Sequence, residues 1–465
     1  MRKVKVLRKK YPKFFYKNYK IELKKNDLEI SFDFEIPPKL SFQPKIKIKN
    51  VARSRLKEIK NEILENLAFH LGLIEMLSYW KATCSGVIEI EAGSLKKEQI
   101  KWWKDLIIKG MGQYFFENRI DWREAGFLRI VSSSSKKFKR IKQKVNKGKF
   151  LIAMGEGKDS ITTLELLKKK GLKVNCFVVN PNKIHFKILK EAGIGTPIIV
   201  ERKIDPKLFQ LNQKGFLNGH TPITALHSFL GVLCGILFDF GNVVFSNERS
   251  SNEGNLKYLG KTINHQYSKS FEFEEKFRDY LKKYITPEIN YFSFLRPLYE
   301  IQIAKIFSGF KQYLPLFLSC NEAKKTYSGK RKPAFKWCDN CPKCLFTFAL
   351  LYPFLSEKEL VNIFRENLFQ KKELLPLMLQ LIGEKKFKPL ECVGTKKENL
   401  AAFYLSWEKA KRIGKTPYLL KYFGKTIFPK YPNLKQVSKN IMNSWDKNHN
   451  LSRNLLNILK SALNF

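Results

Sequence analysis

Along the first fifty residues apolar and polar positions alternate, as Tyr19-Lys20-Ile21-Glu22-Leu23 and then Leu28-Glu29-Ile30-Ser31-Phe32-Asp33-Phe34, with breaks at Pro37-Pro38 and Pro44. A period of two sends successive side chains to opposite faces, so both runs predict strands with one buried face. Over residues 51–82 the spacing lengthens to that of a helix (Leu56, Ile59, Ile63, Leu67, Leu71, Ile74), ending near Trp80. Residues 87–91 read as a further strand and 99–108 as a helix, so residues 1–145 predict an N-terminal α+β domain.

From Gly148 the pattern changes. A short apolar run, Phe150-Leu151-Ile152-Ala153-Met154, leads into a glycine turn, a helix over 161–170, and further strands at Val174-Asn175-Cys176-Phe177-Val178-Val179 and Ile198-Ile199-Val200. Strands alternating with helices predict an α/β, parallel, doubly wound sheet, assigned here to residues 146–355. Residues 356–465 read as a mostly helical C-terminal region without an internal repeat. The longest apolar runs, 229–238 and 345–355, fall short of the ~20 residues a membrane span needs and predict buried helices. The basic start lacks the apolar core of a secretory signal, so no membrane span and a cytoplasmic location are expected. The eight cysteines are then reduced, catalytic or metal-bound rather than bridged.

Composition sharpens this picture in one respect. With 465 residues, 44% hydrophobic and 14% aromatic, the chain is neither a disulfide framework nor largely disordered. Its 87 Lys+Arg against 42 Asp+Glu leave a formal +45, a field that favours polyanions. Only 16 of those cations are Arg, the residue suited to bidentate phosphate and base recognition, and Lys is spread over every segment beside abundant Asn, Ile and Phe. That distribution matches a compositional bias, so no stable nucleic-acid partner is expected.

Candidate chemistry begins at Gly155-Glu156-Gly157-Lys158-Asp159-Ser160, between the first core strand and its helix. Glycines let backbone N–H groups approach an anion, the helix offers its positive end, and Ser160 adds a hydroxyl. The spacing is not that of the mononucleotide loop G-x-x-x-x-G-K-[ST]. The loop resembles the Ser-Gly-Gly-x-Asp-Ser loop of PP-loop ATP pyrophosphatases (adenine nucleotide α-hydrolase-like), which adenylate a substrate and release pyrophosphate. Gly155 and Glu156 depart from that pattern, and Glu156 brings a carboxylate toward the expected pyrophosphate. The bland alternative is an ordinary helix cap.

Cys338-x2-Cys341-x2-Cys344, with Cys320 upstream, suits a closed tetrahedral Zn²⁺ of structural type; an iron–sulfur cluster is the alternative. The polar run 246–255 emerges from the apolar strand Val243-Val244-Phe245, where loops of an open sheet meet ligands, while 218–222 precedes an apolar helix and 264–270 is dense in donors and proton carriers. Of the histidines, His220 and His265 suit acid/base or phosphate contact, whereas His227, inside an apolar helix, reads as a core residue. Cys392, in Glu391-Cys392-Val393-Gly394-Thr395, reads as a packed thiol, with a cysteine base as the chemical alternative.

Taken in order, Leu77-Ser78-Tyr79-Trp80-Lys81, Gly110-Met111-Gly112-Gln113-Tyr114-Phe115-Phe116, the 155–160 loop, 246–255, 264–270, 337–344 and 391–395 resemble the MurL family, the UDP-N-acetyl-α-D-muramoyl-L-alanyl-L-glutamate epimerases of peptidoglycan synthesis. The resemblance implies ATP-dependent inversion of the terminal L-Glu of UDP-MurNAc-L-Ala-L-Glu, with Mg²⁺, release of AMP and diphosphate, and functional coupling to an L-Glu-adding muramoyl ligase. On that basis Gly155, Gly157, Lys158, Asp159 and Ser160 bind the ATP phosphates, and Asn252 and Glu253 help hold metal or substrate. His265, Lys269 or His220 then carries the α-proton. The competing expectations are a PP-loop adenylating enzyme that modifies tRNA or a nucleobase, and a non-catalytic zinc-bearing nucleic-acid binder.

Overall fold

The computed structural model describes residues 2–385 and 387–463. Its thirteen strands are β1 (Lys13–Lys24), β2 (Asp27–Ile36), β3 (Leu40–Phe42), β4 (Lys45–Ile48), β5 (Val87–Ile90), β6 (Arg129–Ser132), β7 (Lys149–Ala153), β8 (Lys173–Val179), β9 (Ile198–Lys203), β10 (Asn242–Phe245), β11 (Leu256–Tyr258), β12 (Lys261–Ile263) and β13 (Asn290–Ser293). Eleven of them form one sheet in the order β13-β10-β7-β8-β9-β4-β2-β1-β5-β6, with β3 beside β2; β11 and β12 make a separate hairpin. The strands β13, β10, β7, β8 and β9 are parallel, as the alternation of strands and helices predicts.

The sheet does not stop at residue 145. β4 pairs antiparallel with β9, Ile46 opposite Arg202 and Ile48 opposite Val200, so the N-terminal strands extend the core sheet edge to edge. Beyond the antiparallel centre, β1, β5 and β6 run parallel to one another. On the other side, β7, β8 and β9 step outward one by one, and β10 then returns to the opposite flank of β7. That reversal between β7 and β10 is the crevice in which open α/β sheets place their ligands.

The long helix expected over 51–82 is three pieces, Arg53–Glu58, Asn61–Glu75 and Leu77–Trp80, because extended residues at Ile59 and Lys60 interrupt it. The helix after the glycine turn starts at Lys158, three residues before its apolar periodicity begins. Ile223–Leu237, apolar on all sides, has thirteen of its fifteen residues buried. It lies so close to the sheet that a Cβ on Gly231 would stand 2.8 Å from Val243 Cγ1. The chain after residue 356 is helical, and Lys396–Arg412 is capped by Thr395 with Glu398 reaching back. No helix of the described residues is long and apolar enough to cross a membrane.

Candidate functional site

A cavity of ≈ 640 Å³ opens at the β7/β10 reversal. Its floor is the glycine loop after β7, where Gly155, Glu156, Gly157, Asp159 and Ser160 all line it. Ser160 Oγ donates toward the carbonyls of Gly155 (3.1 Å) and Gly157 (3.2 Å) and accepts from Gly155 N–H (3.2 Å), cinching the turn around the helix start. Ser246, Asn247 and Glu248, leaving β10, form a second wall; Lys324, Lys343 and Lys269 bring three cations to the same space. Glycine backbone, a helix N-terminus and converging ammonium groups suit a polyphosphate.

Glu156, the departure from the PP-loop pattern, lines the cavity with its carboxylate already paired. Its Oε1 meets Asn182 Nδ2 and His185 Nδ1 (3.1 Å), and its Oε2 meets Lys324 Nζ at 2.9 Å. Burial opposes its charge, yet the His185 hydrogen bond and the Lys324 ammonium hold it down to about 2. Lys158 does not line the cavity. Its ammonium is buried between Asp159 (2.5 Å) and Glu300 and, despite the cost of burial, is held above its ordinary range by those two carboxylates. It thereby pairs with Asp159, whose side chain remains partly exposed at the cavity.

Beneath the β10 wall lies a residue that periodicity does not reveal. Arg296 is fully buried and donates to Glu274 Oε2 (2.9 Å), Ser251 Oγ (3.1 Å), Ser293 Oγ (3.2 Å) and the carbonyls of Glu248 (2.9 Å) and Lys269 (2.7 Å). It thereby fixes the backbone that carries both Glu248 and Lys269 to the cavity. The one signal for it is a lone cation closing the apolar run Tyr291-Phe292-Ser293-Phe294-Leu295. Burial first, and repulsion from Glu300 second, raise the Glu248 carboxyl above its ordinary range.

Of the residues expected to carry the α-proton, only Lys269 lines this cavity. His220 and His265 lie together outside its lining, ring centroids 4.5 Å apart, with His265 Nδ1 against Gln113 Oε1. Burial, aided by neighbouring cations, lowers them to about 3 and about 4, so both are neutral. Asn252 and Glu253 are also elsewhere. Asn252 Oδ1 accepts from Phe271 N–H (2.8 Å), and Glu253 Oε1 accepts from Lys388 Nζ and Lys396 N–H (both 3.1 Å), contacts that secure the loop. Conversely, two residues read as packing do face the cavity: His227 and Cys392. Cys392 Sγ lies 3.5 Å from Lys269 Nζ, and its carbonyl accepts from Lys343 Nζ at 2.5 Å.

The four cysteines converge as their spacing anticipates. The sulfurs of Cys320, Cys338, Cys341 and Cys344 all lie within 4.8 Å of one another, with separations of 3.8 Å (320 to 341), 3.7 Å (338 to 344) and 3.5 Å (341 to 344). A tetrahedral ion with Zn–S bonds of ~2.3 Å requires S···S distances of ~3.8 Å, so the donor set fits Zn²⁺. The knuckle borders the cavity on both sides of its own sequence. Leu318, Ser319 and Asn321 flank Cys320, Lys343 precedes Cys344, and all four line the cavity.

Residues 5–294 match the MurL N-terminal domain and residues 316–426 the MurL C-terminal domain. Three curated proteins named UDP-N-acetyl-alpha-D-muramoyl-L-alanyl-L-glutamate epimerase are similar to the chain. Those of Micromonospora sp. and Salinispora tropica are each 40% identical, over 259 and 260 residues; these stretches cover 56% of this chain and 57% and 56% of theirs. The chain thus matches little more than half the length of these two relatives. The protein of Xanthomonas oryzae pv. oryzae is 31% identical over 369 residues, 79% of this chain and 80% of its own. No solved structure matches the chain.

Proposed function

Because the chain belongs to the MurL family, we propose that it inverts the terminal L-Glu of UDP-MurNAc-L-Ala-L-Glu to D-Glu, consuming ATP and releasing AMP and diphosphate. The observation that carries this reading is the cavity at the β7/β10 reversal, where a glycine loop and helix start meet Asp159 and the ammonium groups of Lys269, Lys324 and Lys343. A PP-loop mode of ATP binding accords with that floor.

The chemistry explains why nucleotide and proton transfer share one site. A carboxylate resists loss of its α-hydrogen, because a second negative charge would develop beside the first. Attack of the glutamyl carboxylate oxygen on the α-phosphorus of ATP, with diphosphate leaving, gives an acyl-adenylate whose acyl group no longer carries the carboxylate charge and whose Cα–H is far more acidic. After inversion, water cleaves the acyl phosphate and AMP departs. In this scheme the loop N–H groups and Ser160 hold phosphate oxygens, Asp159 faces the Mg²⁺ that accompanies ATP, and the lysines offset the growing charge. The cysteine knuckle holds Zn²⁺ structurally and supplies rigidity. The nucleotide-linked substrate and the need for ATP place the reaction in the cytoplasm, downstream of a ligase that adds L-Glu. Residues 1–145, 146–355 and 356–465 serve as sheet extension, nucleotide-binding core and helical buttress.

The test is to incubate the protein with ATP, Mg²⁺ and UDP-MurNAc-L-Ala-L-Glu, hydrolyse the product, and determine glutamate chirality alongside AMP. Substrate-dependent AMP with D-Glu supports the reading. AMP that appears only with RNA or a nucleobase acid would instead identify a base-modifying adenylating enzyme. Asp159→Ala is expected to abolish AMP formation; full AMP release from that variant would remove Asp159 from the phosphate site.

A further inference from the structure

Inversion at Cα needs a proton removed from one face and another delivered to the opposite face. The two histidines that the sequence favours for this lie outside the cavity lining, side by side with their rings tilted 46° to each other. Among the titratable side chains that do line it, beside Lys269, His185 and Glu248, two come from elements on separate walls: His227, on the helix Ile223–Leu237, and Cys392, on the turn before the helix Lys396–Arg412.

The His227 ring has no hydrogen-bond partner among the described residues, unlike His70, whose two ring nitrogens meet Asn66 O and Tyr280 Oη. A largely enclosed imidazole with both nitrogens unspent, facing a polar cavity, is poised for a ligand. Burial, with Arg202 and Lys269 nearby, lowers it to about 4, which leaves it neutral and able to accept. Cys392 is held on both flanks. Lys343 Nζ fixes its carbonyl, and Lys269 Nζ stands 3.5 Å from its sulfur. Lys269 is fixed in turn, its own carbonyl taking hydrogen bonds from Arg296 (2.7 Å) and Ser251 (3.0 Å). A thiol beside a rigidly placed ammonium can lose its proton without leaving an unpaired charge.

We propose that His227 and Cys392 are the two proton carriers of the inversion, an inference that rests on the epimerase reading above. The His227 nitrogen takes the Cα proton of the activated L-glutamyl group, and the C–H electron pair passes into the adjoining carbonyl as an enolate. The enolate then collapses toward Cα, which takes the Cys392 proton on its other face. The products are a D-glutamyl centre, an imidazolium and a thiolate paired with Lys269. Water returns the proton from nitrogen to sulfur, and the cycle closes with no net gain or loss of protons.

The experiment runs the full-length protein in D₂O with ATP, Mg²⁺ and UDP-MurNAc-L-Ala-L-Glu or its D-Glu epimer, following AMP, chirality and Cα deuterium. Wild-type protein is expected to give D-Glu carrying solvent deuterium. Cys392→Ser and His227→Asn are each expected to release AMP while inverting at least ~100-fold more slowly. Cys392→Ser should still exchange Cα–H from the L epimer and His227→Asn from the D epimer. Inversion within about threefold of wild type in either variant overturns the inference and leaves the epimerase reading standing; failure of wild type to invert removes both. Should a variant not fold, thiol alkylation of the wild-type protein decides. Cys392 is expected to react with iodoacetamide, to be shielded by UDP-MurNAc-L-Ala-L-Glu with ATP, and to react more slowly in Lys269→Met. A Cys392 that substrate does not shield overturns the inference.

Discussion

Arg296 donates to five oxygens from three chain segments with no exposure to solvent, so its loss would strand the Glu274 carboxylate in the interior. Breaking such a pair costs ~3–5 kcal/mol, and Arg296→Met is expected to lose that much in urea denaturation. Arg296→Lys restores the charge but not the planar fork, and is expected to recover part of the stability and little of the AMP release. Glu156 carries a pH signature. Its carboxyl moves from an ordinary 4.5 to about 2 on folding. The stabilisation is therefore fully present above about pH 4.5 and is lost as pH falls toward 2. Glu156→Gln is expected to flatten that acid limb, measured as midpoint against pH. These two residues mark where sequence reading ends at this scale. The glycine loop was legible because backbone chemistry is local, and the cysteines because ligand spacing is. That Lys158 turns inward to Glu300, 142 residues away, and that His227 faces a cavity rather than the core, depend on contacts distant in sequence.

Periodicity reached the elements better than the side chains. The alternating runs became β1 and β2, and the apolar run at 150–154 became β7, because burial of one face or two dictates those patterns. It did not show the breaks at Ile59 and Met76 that divide the first helix, since apolar residues continue through both. The element that joins structure to site is the cysteine knuckle, whose flanking residues Leu318, Ser319, Asn321 and Lys343 form cavity wall. A metal ion bound there would stabilise the fold directly, because unfolded thiols hold no preformed site. Purified protein is expected to contain one Zn²⁺ per chain by elemental analysis. Stripping it with a strong chelator should lower Tm and abolish AMP release together, as should Cys344→Ser.

At the scale of the whole molecule, the parallel core and helical C-terminal region were legible, but the joining of the N-terminal strands to the core was not. Edge-to-edge pairing of β4 with β9 leaves no mark in either strand's own pattern. One continuous sheet implies one cooperative unit, so residues 1–145 and 146–465 expressed apart are expected to be poorly folded, and to regain circular dichroism and a sharp melt when co-expressed. The same pairing also has a consequence in time. A ribosome reaches β9 about 150 residues after completing β4. At ~5–20 residues per second the nascent chain waits ~8–30 s with the open backbone of β4 unmatched. During synthesis that strand edge is the segment most available to a neighbouring chain. The yield of native protein should therefore depend on elongation speed and on holdase chaperones far more than the finished protein's stability would suggest.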